Sequence, residues 1–219
     1  GQVASRGIVP FVIGGDHSIT WPAATAVAEH HGFGNVVMIH FDAHADTANI
    51  LEGNLASHGT PMRRLIESGA IPGPHFLQVG LRGYWPGEED QKWMRDNGLK
   101  HFMMQEFWER GVKAVLPDII AAAKARASKV YISIDIDVLD PGFAPATGTP
   151  EPGGFAPIDL LRIIRHIVLE TDVVGFDIME VAPAYDHADV TVNNAHRLIW
   201  EAFGAMAAKK RSAGLTANP

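Results

Sequence analysis

Short apolar runs alternate along this chain with longer stretches in which apolar residues recur every three or four positions. "IVPFVIGG" (8–15) predicts a strand, and "SITWPAATAVAEHHG" (18–32) predicts a helix closed by Gly32. "NVVMIHFDAHAD" (35–46) predicts a strand running into a polar loop, followed by a helix over 60–69. The same reading gives a strand over 74–83, a helix over 87–98, a strand over 100–105 and a helix over 107–127. "KVYISIDID" (129–137) is a strand, then come a helix over 157–170, a strand over 173–179 and a last helix over 190–209. This alternation implies βαβ units, hence an α/β fold with a parallel sheet and helices on both faces. No repeat, low-complexity segment or linker interrupts it, so one domain over 1–219 is expected. In such sheets ligands sit beyond the carboxyl ends of the strands.

Composition changes this picture little. A net charge of −7, with no basic cluster beyond "KKR" (209–211), argues against a nucleic-acid partner and favours cationic or neutral small ligands. No apolar run reaches about 18 residues, so no membrane span is expected. The absence of cysteine excludes disulfides and thiolate metal sites and fits a cytoplasmic protein.

The predicted strand ends carry the chemistry. "GGDHS" (14–18) follows the first strand, "DAHAD" (42–46) the second, and Asp135 and Asp137 close the strand over 129–137. Alternation places Asp42, His44 and Asp46 toward one spot, and Asp135 beside Asp137 on one face. Two carboxylates so close repel each other and are costly to bury without a cation between them. Imidazole with carboxylate is a ligand set for Mn, Zn, Fe or Ni. If Asp42, Asp46, Asp135 and Asp137 are all ligands, their four negative charges match two divalent cations and overload one. Each motif alone has a bland reading as a solvated loop, a helix cap or an edge strand. Together, at strand ends of one βα pattern, they predict a metal site.

"GGDHS", "DAHAD" and "SIDIDVLDP…TGTPEPGG", in this order and followed by "DIMEVAP", resemble the signatures of the ureohydrolases, the arginase and agmatinase family. The resemblance implies a three-layer α/β/α sandwich with a mostly parallel sheet. It also implies two Mn²⁺ per chain (Ni²⁺ in some members) and hydrolysis of a guanidino group to urea and an amine by a hydroxide between the metals. It implies His17, Asp42, Asp46 and Asp135 around one metal, and His44, Asp42, Asp135 and Asp137 around the other, with Asp42 and Asp135 shared. Asp16 orients this shell, and Asp140 is structural. Asp46 is expected to pass a proton to the leaving amine, Glu180 to hold the guanidinium, and Thr149 to line the site. His58 is expected to shuttle protons near the mouth, where an imidazole titrating near neutrality is suited to the task.

The match is nearest to the agmatinase branch, through "HGTPMRRL" and "TGTPEPGG", with agmatine as the first substrate. "VGLRGYWPG" keeps guanidinobutyrate, guanidinopropionate, proclavaminate-type compounds and guanidine as alternatives, with Arg82 either a partner for a substrate carboxylate or a structural salt bridge at a strand end, and Trp85 either a pocket wall or, the favoured reading, a packed loop residue. Ala146 stands where agmatinase-like members commonly have Gly. Family members carry a longer stretch before "GGDHS", so the chain is expected to be N-terminally incomplete, and they form trimers or hexamers, so a homo-oligomer is expected. Two other readings compete: a deacetylase of related fold with one Zn²⁺, and a catalytically silent subunit of a mixed oligomer.

Overall fold

The computed structural model describes residues 1–214. Its strands are β1 (Phe11–Ile13), β2 (Val36–Phe41), β3 (Phe76–Val79), β4 (Lys100–Phe102), β5 (Lys129–Asp135) and β6 (Asp172–Met179). They form one parallel sheet in the order β1-β6-β5-β2-β3-β4. The α-helices are α1 (Thr20–His31), α2 (Pro61–Glu67), α3 (Glu88–Asp96), α4 (Met104–Arg110), α5 (Val112–Lys124), α6 (Pro157–Glu170) and α7 (Val190–Ser212). Every predicted strand and helix is present. One predicted helix, 107–127, starts earlier and is two: Gly111 adopts a φ of 74°, which an L side chain rarely accepts, so the chain turns there between α4 and α5.

Alternation along the strands sorts side chains into two layers. Val37, Ile39, Val130, Ile132, Ile134 and Phe176 point toward α4–α7 and are fully or nearly fully buried in one apolar cluster. Met38, Phe76, Tyr131 and Val174 point the other way, into a second cluster with α1, α2 and α3. Two helical layers around a parallel sheet make the three-layer α/β/α sandwich. Gly175 is required in this arrangement: a Cβ there would meet the Tyr131 ring at 2.4 Å.

The strand order also locates the functional end. From β2 the chain moves outward through β3 and β4, whereas β5 continues to β6 on the opposite side. Adjacent β2 and β5 therefore flank the switch point, where a crevice opens beyond their carboxyl ends.

Candidate metal centre

The acidic motifs meet at that crevice, but not by strand alternation. β2 stops at Phe41 and β5 at Asp135, so "DAHAD" is a loop and Asp137 lies in a single 3₁₀ turn (Ile136–Val138). The same device ends both strands. Asp42 Oδ1 accepts the backbone N–H of His44 at 2.6 Å, and Asp135 Oδ1 accepts that of Asp137 at 2.8 Å. A carboxylate that takes the backbone donor two residues on competes with the sheet ladder and turns the chain. The expectation of period-2 convergence is thereby corrected, although the residues it named do converge.

His17 enters from the far side. Asp16 caps its 3₁₀ turn by accepting from the Ser18 backbone N–H at 2.9 Å, and the His17 backbone N–H donates to Glu180 Oε1 at 2.7 Å. His17 Nδ1 then lies 3.1 Å from Asp46 Oδ2, 3.1 Å from Asp135 Oδ2 and 3.3 Å from Asp42 Oδ2. A second focus forms at His44 Nδ1, 3.0 Å from Asp137 Oδ2 and 3.5 Å from Asp42 Oδ1. Asp42 thus offers one oxygen to each focus. Asp135 faces the first with Oδ2, and its Oδ1, like that of Asp42, accepts the backbone N–H of its own turn.

The electrostatics describe a crowd of anions. Burial and the neighbouring charges of Asp137 and Asp42 hold Asp135 well above the ordinary carboxylate range. Burial and the Asp42 charge push Asp137 up to about 6. Against its own burial, Asp42 is held well below that range by His40, His17 and His44. Burial would lower both ligand-type imidazoles, but the carboxylates outweigh it: His17 is raised well above its usual value and His44 to about 11. Buried carboxylates that hold imidazoles as cations are a set of donors suited to metal cations. Nitrogen and oxygen donors without thiols fit ions such as Mn²⁺ or Ni²⁺. The donor atoms of His17, His40, Asp42 and Asp46 lie within 4.8 Å of one another, as do those of Asp42, His44 and Asp137.

Above the foci lies a cavity of about 520 Å³ lined by His44, Asp46, His58, Asp135 and Thr149. Thr149 Oγ1 donates to Asp137 Oδ2 at 3.3 Å. His58 sits on an exposed loop that the buried Thr60 hydroxyl holds through the carbonyls of Leu55 and Ser57. Glu180 is half-buried and does not itself line this cavity; its carboxyl is raised chiefly by burial, and a Cβ on Gly148 would only just touch its second oxygen, at 3.8 Å. Asp46 and Glu180 both have positive φ (53° and 64°), strain of about 1–3 kcal/mol each that the surrounding fold must hold in place. Arg82, in contrast, is buried and donates to the carbonyls of Asp137, Val138, Leu139, Glu151 and Pro152, so it staples two loops rather than facing a substrate carboxylate. Asp140 is likewise structural, accepting from the N–H groups of Gly142 and Gly153. Trp85 is exposed and does line the mouth.

Sequence reasoning missed four buried polar residues beneath the centre: His40, Gln78, Ser133 and Asp177. Ser133 Oγ lies 2.8 Å from His17 Nε2, and His40 Nε2 lies 2.8 Å from Asp42 Oδ2. The available signal was their place: each is a polar residue one or two positions before the last residue of its strand, inside an otherwise apolar run.

Fold and site together define a three-layer α/β/α scaffold with two clusters of carboxylate and imidazole donors at its switch point, each of which could hold a metal ion. The chain belongs to the arginase family, whose model matches residues 1–204. It is 38% identical to the mitochondrial agmatinase of Gallus gallus over 91% of this chain and 57% of that protein. It is 43% identical to the proclavaminate amidinohydrolase of Streptomyces clavuligerus (82% and 56% covered). With the guanidinopropionase of Pseudomonas aeruginosa the identity is 40% (87% and 58%). Among solved structures, formimidoylglutamase from Bacillus subtilis superposes with a TM-score of 0.87 at 29% identity, covering 94% of this chain and 65% of that one. Arginase from Bacillus caldovelox gives 0.83 at 31% (93% and 71%). The chain spans under three fifths of the length of these curated relatives.

Proposed function

We propose that the protein is a ureohydrolase that binds two divalent cations, Mn²⁺ first and Ni²⁺ second, and hydrolyses a small guanidino compound to urea and an amine. The observation that carries this reading is the pair of foci at His17 Nδ1 and His44 Nδ1, joined by the two oxygens of Asp42 beside a cavity that His44, Asp46 and Asp135 line. A deacetylase with one Zn²⁺ would need only one of them.

When bound, the two cations supply a water acidic enough to act as a nucleophile at neutral pH and stabilise the negative charge that develops on attack. The chain's own residues do the rest. Glu180 receives guanidinium N–H groups on the oxygen not already engaged by His17. Asp46, facing both the His17 focus and the cavity, delivers the proton that the leaving amine needs, and His58 exchanges protons with solvent at the mouth. Thr149 holds Asp137 and lines the path. Homo-oligomers, trimers or hexamers, are part of the same reading.

The acidic lining of the cavity favours agmatine. Glu52, Asp90 and Glu151 line it, and no Lys or Arg does so among the described residues. An ammonium tail meets compensating charge there, whereas a carboxylate tail meets repulsion. The guanidino-acid reading is favoured instead by the slightly higher identity to the proclavaminate and guanidinopropionate enzymes. Urea release by Mn- and Ni-loaded protein, measured across agmatine, arginine, guanidinobutyrate, guanidinopropionate and guanidine, tests both. Agmatine should give the highest kcat/KM. Faster turnover of either guanidino acid overturns the tail assignment, and no urea from any of them overturns the hydrolase.

A further inference from the structure

One level below the carboxyl ends, a polar row crosses the sheet. Asp177 pairs in register with Ser133, Ser133 with His40, His40 with Gln78, and Gln78 with His101. All but His101 are fully buried, and they share the face that carries Asp42 and Asp135.

Within this row one orientation can be derived atom by atom. Gln78 Nε2 lies 2.7 Å from the carbonyl oxygen of Ala45, which can only accept a hydrogen bond. An exchanged amide would set two acceptors against each other at that distance, so the nitrogen must face Ala45. The same nitrogen lies 3.2 Å from His40 Nδ1. With its second hydrogen directed there, Nδ1 is the acceptor and the ring proton resides on Nε2. Nε2 lies 2.8 Å from Asp42 Oδ2 and therefore donates to it. His40 belongs, by distance, to one of the two groups of potential metal donors. Yet with Nε2 protonated and Nδ1 occupied by Gln78, neither nitrogen keeps a lone pair for a metal.

We propose that Gln78 and His40 are positioning residues: Gln78 sets the His40 tautomer, and His40 in turn aims Asp42 so that its two oxygens address the two metal foci. Gln78 simultaneously ties down Ala45, which lies between His44 and Asp46, so a single amide registers the whole "DAHAD" loop against the centre. The proposal rests on reading Asp42 as the shared metal-holding carboxylate. Orienting partners of this kind are worth about 10–100-fold in metal affinity.

The test uses Mn²⁺ alone, with stoichiometry and affinity measured by calorimetry on the metal-depleted protein, and folding checked by circular dichroism. His40→Leu and Gln78→Met should each weaken Mn²⁺ binding by about 10–100-fold. His40→Gln, whose amide nitrogen replaces the Nε2 donor, should bind within about threefold of the parent. If His40→Gln loses a Mn²⁺ equivalent, His40 is a ligand and the proposal falls. It falls equally if Gln78→Met binds like the parent, a result that stands even where His40→Leu does not fold. Asp42→Asn serves as the control beneath both: unchanged binding of two Mn²⁺ by that variant would remove Asp42 from the centre and overturn the underlying reading instead.

Discussion

The two faces of the sheet are made by the same strands, yet they bury opposite chemistry. Toward α4–α7, strand residues such as Ile39, Ile132 and Ile134 are apolar and fully buried along the length of the strands. Toward α1–α3, the central strands change character as they rise: Met38 and His40 along β2 with Asp42 just past its end, and Tyr131, Ser133 and Asp135 along β5. The first face is held by burial, worth about 25 cal/mol per Å² of apolar surface. On the second face each polar group needs a partner, because an unmade hydrogen bond there costs about 1–3 kcal/mol. One face therefore stabilises the fold without reference to ligands, while the other builds, rung by rung, toward a cluster of donors that could hold metal ions.

The largest effect is expected at the top rung. Asp42→Asn removes the carboxylate common to both foci, so the variant should lose bound Mn²⁺ and urea release should fall by more than about a hundredfold, beyond what an orienting partner alone gives. Elemental analysis beside a urea assay checks it, and a variant retaining both metals and activity would erase the distinction between the faces.

Adjacent residues sharpen the contrast next. Ile132→Ala, on the apolar side, should cost about 2–5 kcal/mol of stability through the cavity it leaves, with Mn²⁺ affinity unchanged. Tyr131→Phe, on the polar side, removes the hydroxyl that donates to Asp177 Oδ2 at 2.7 Å and should cost about 1–3 kcal/mol by leaving that buried acceptor short of a partner. Denaturant titrations of metal-loaded protein measure both. Equal sensitivity of Mn²⁺ affinity to the two substitutions would mean that the faces are not separate in function.

Much of this was legible from the sequence, and the exceptions have physical causes. The element order follows from hydrophobic period, and His17, Asp42, His44, Asp46, Asp135 and Asp137 were all placed at one spot. The geometry joining them was not legible, because a period-2 pattern cannot show that Asp42 and Asp135 each capture a backbone N–H and end their strands. The supporting row was missed for another reason. His40 and Gln78 are 38 residues apart and meet only through β2–β3 register, which no local pattern records. For Arg82 a substrate carboxylate and a structural role both stayed open, because the backbone carbonyls it serves are invisible in a string of side chains.

The smallest expected effect lies at the outer end of the polar row. His101 on β4 pairs with Gln78, and its Nδ1 is buried with no hydrogen-bond partner. Burial lowers its pKa below the ordinary imidazole value of about 6.5. The sign then follows from linkage. Between the lowered folded pKa and about 6.5, the unfolded chain holds a proton on this ring that the folded chain does not, so folding weakens as pH falls through that window. Its contribution is intact above about 6.5 and stops changing below the folded value. His101→Leu should flatten the difference in unfolding free energy between pH 7.5 and 5.5 relative to the parent, measured by urea titration on metal-depleted protein. His101 lies at the edge of the sheet, away from the foci at His17 and His44, so Mn²⁺ affinity at pH 7.5 should stay at the parental value. An unchanged pH slope would show that this ring pays no burial penalty. A lowered Mn²⁺ affinity would extend the functional row across the whole sheet, making the polar face one unit from β6 to β4.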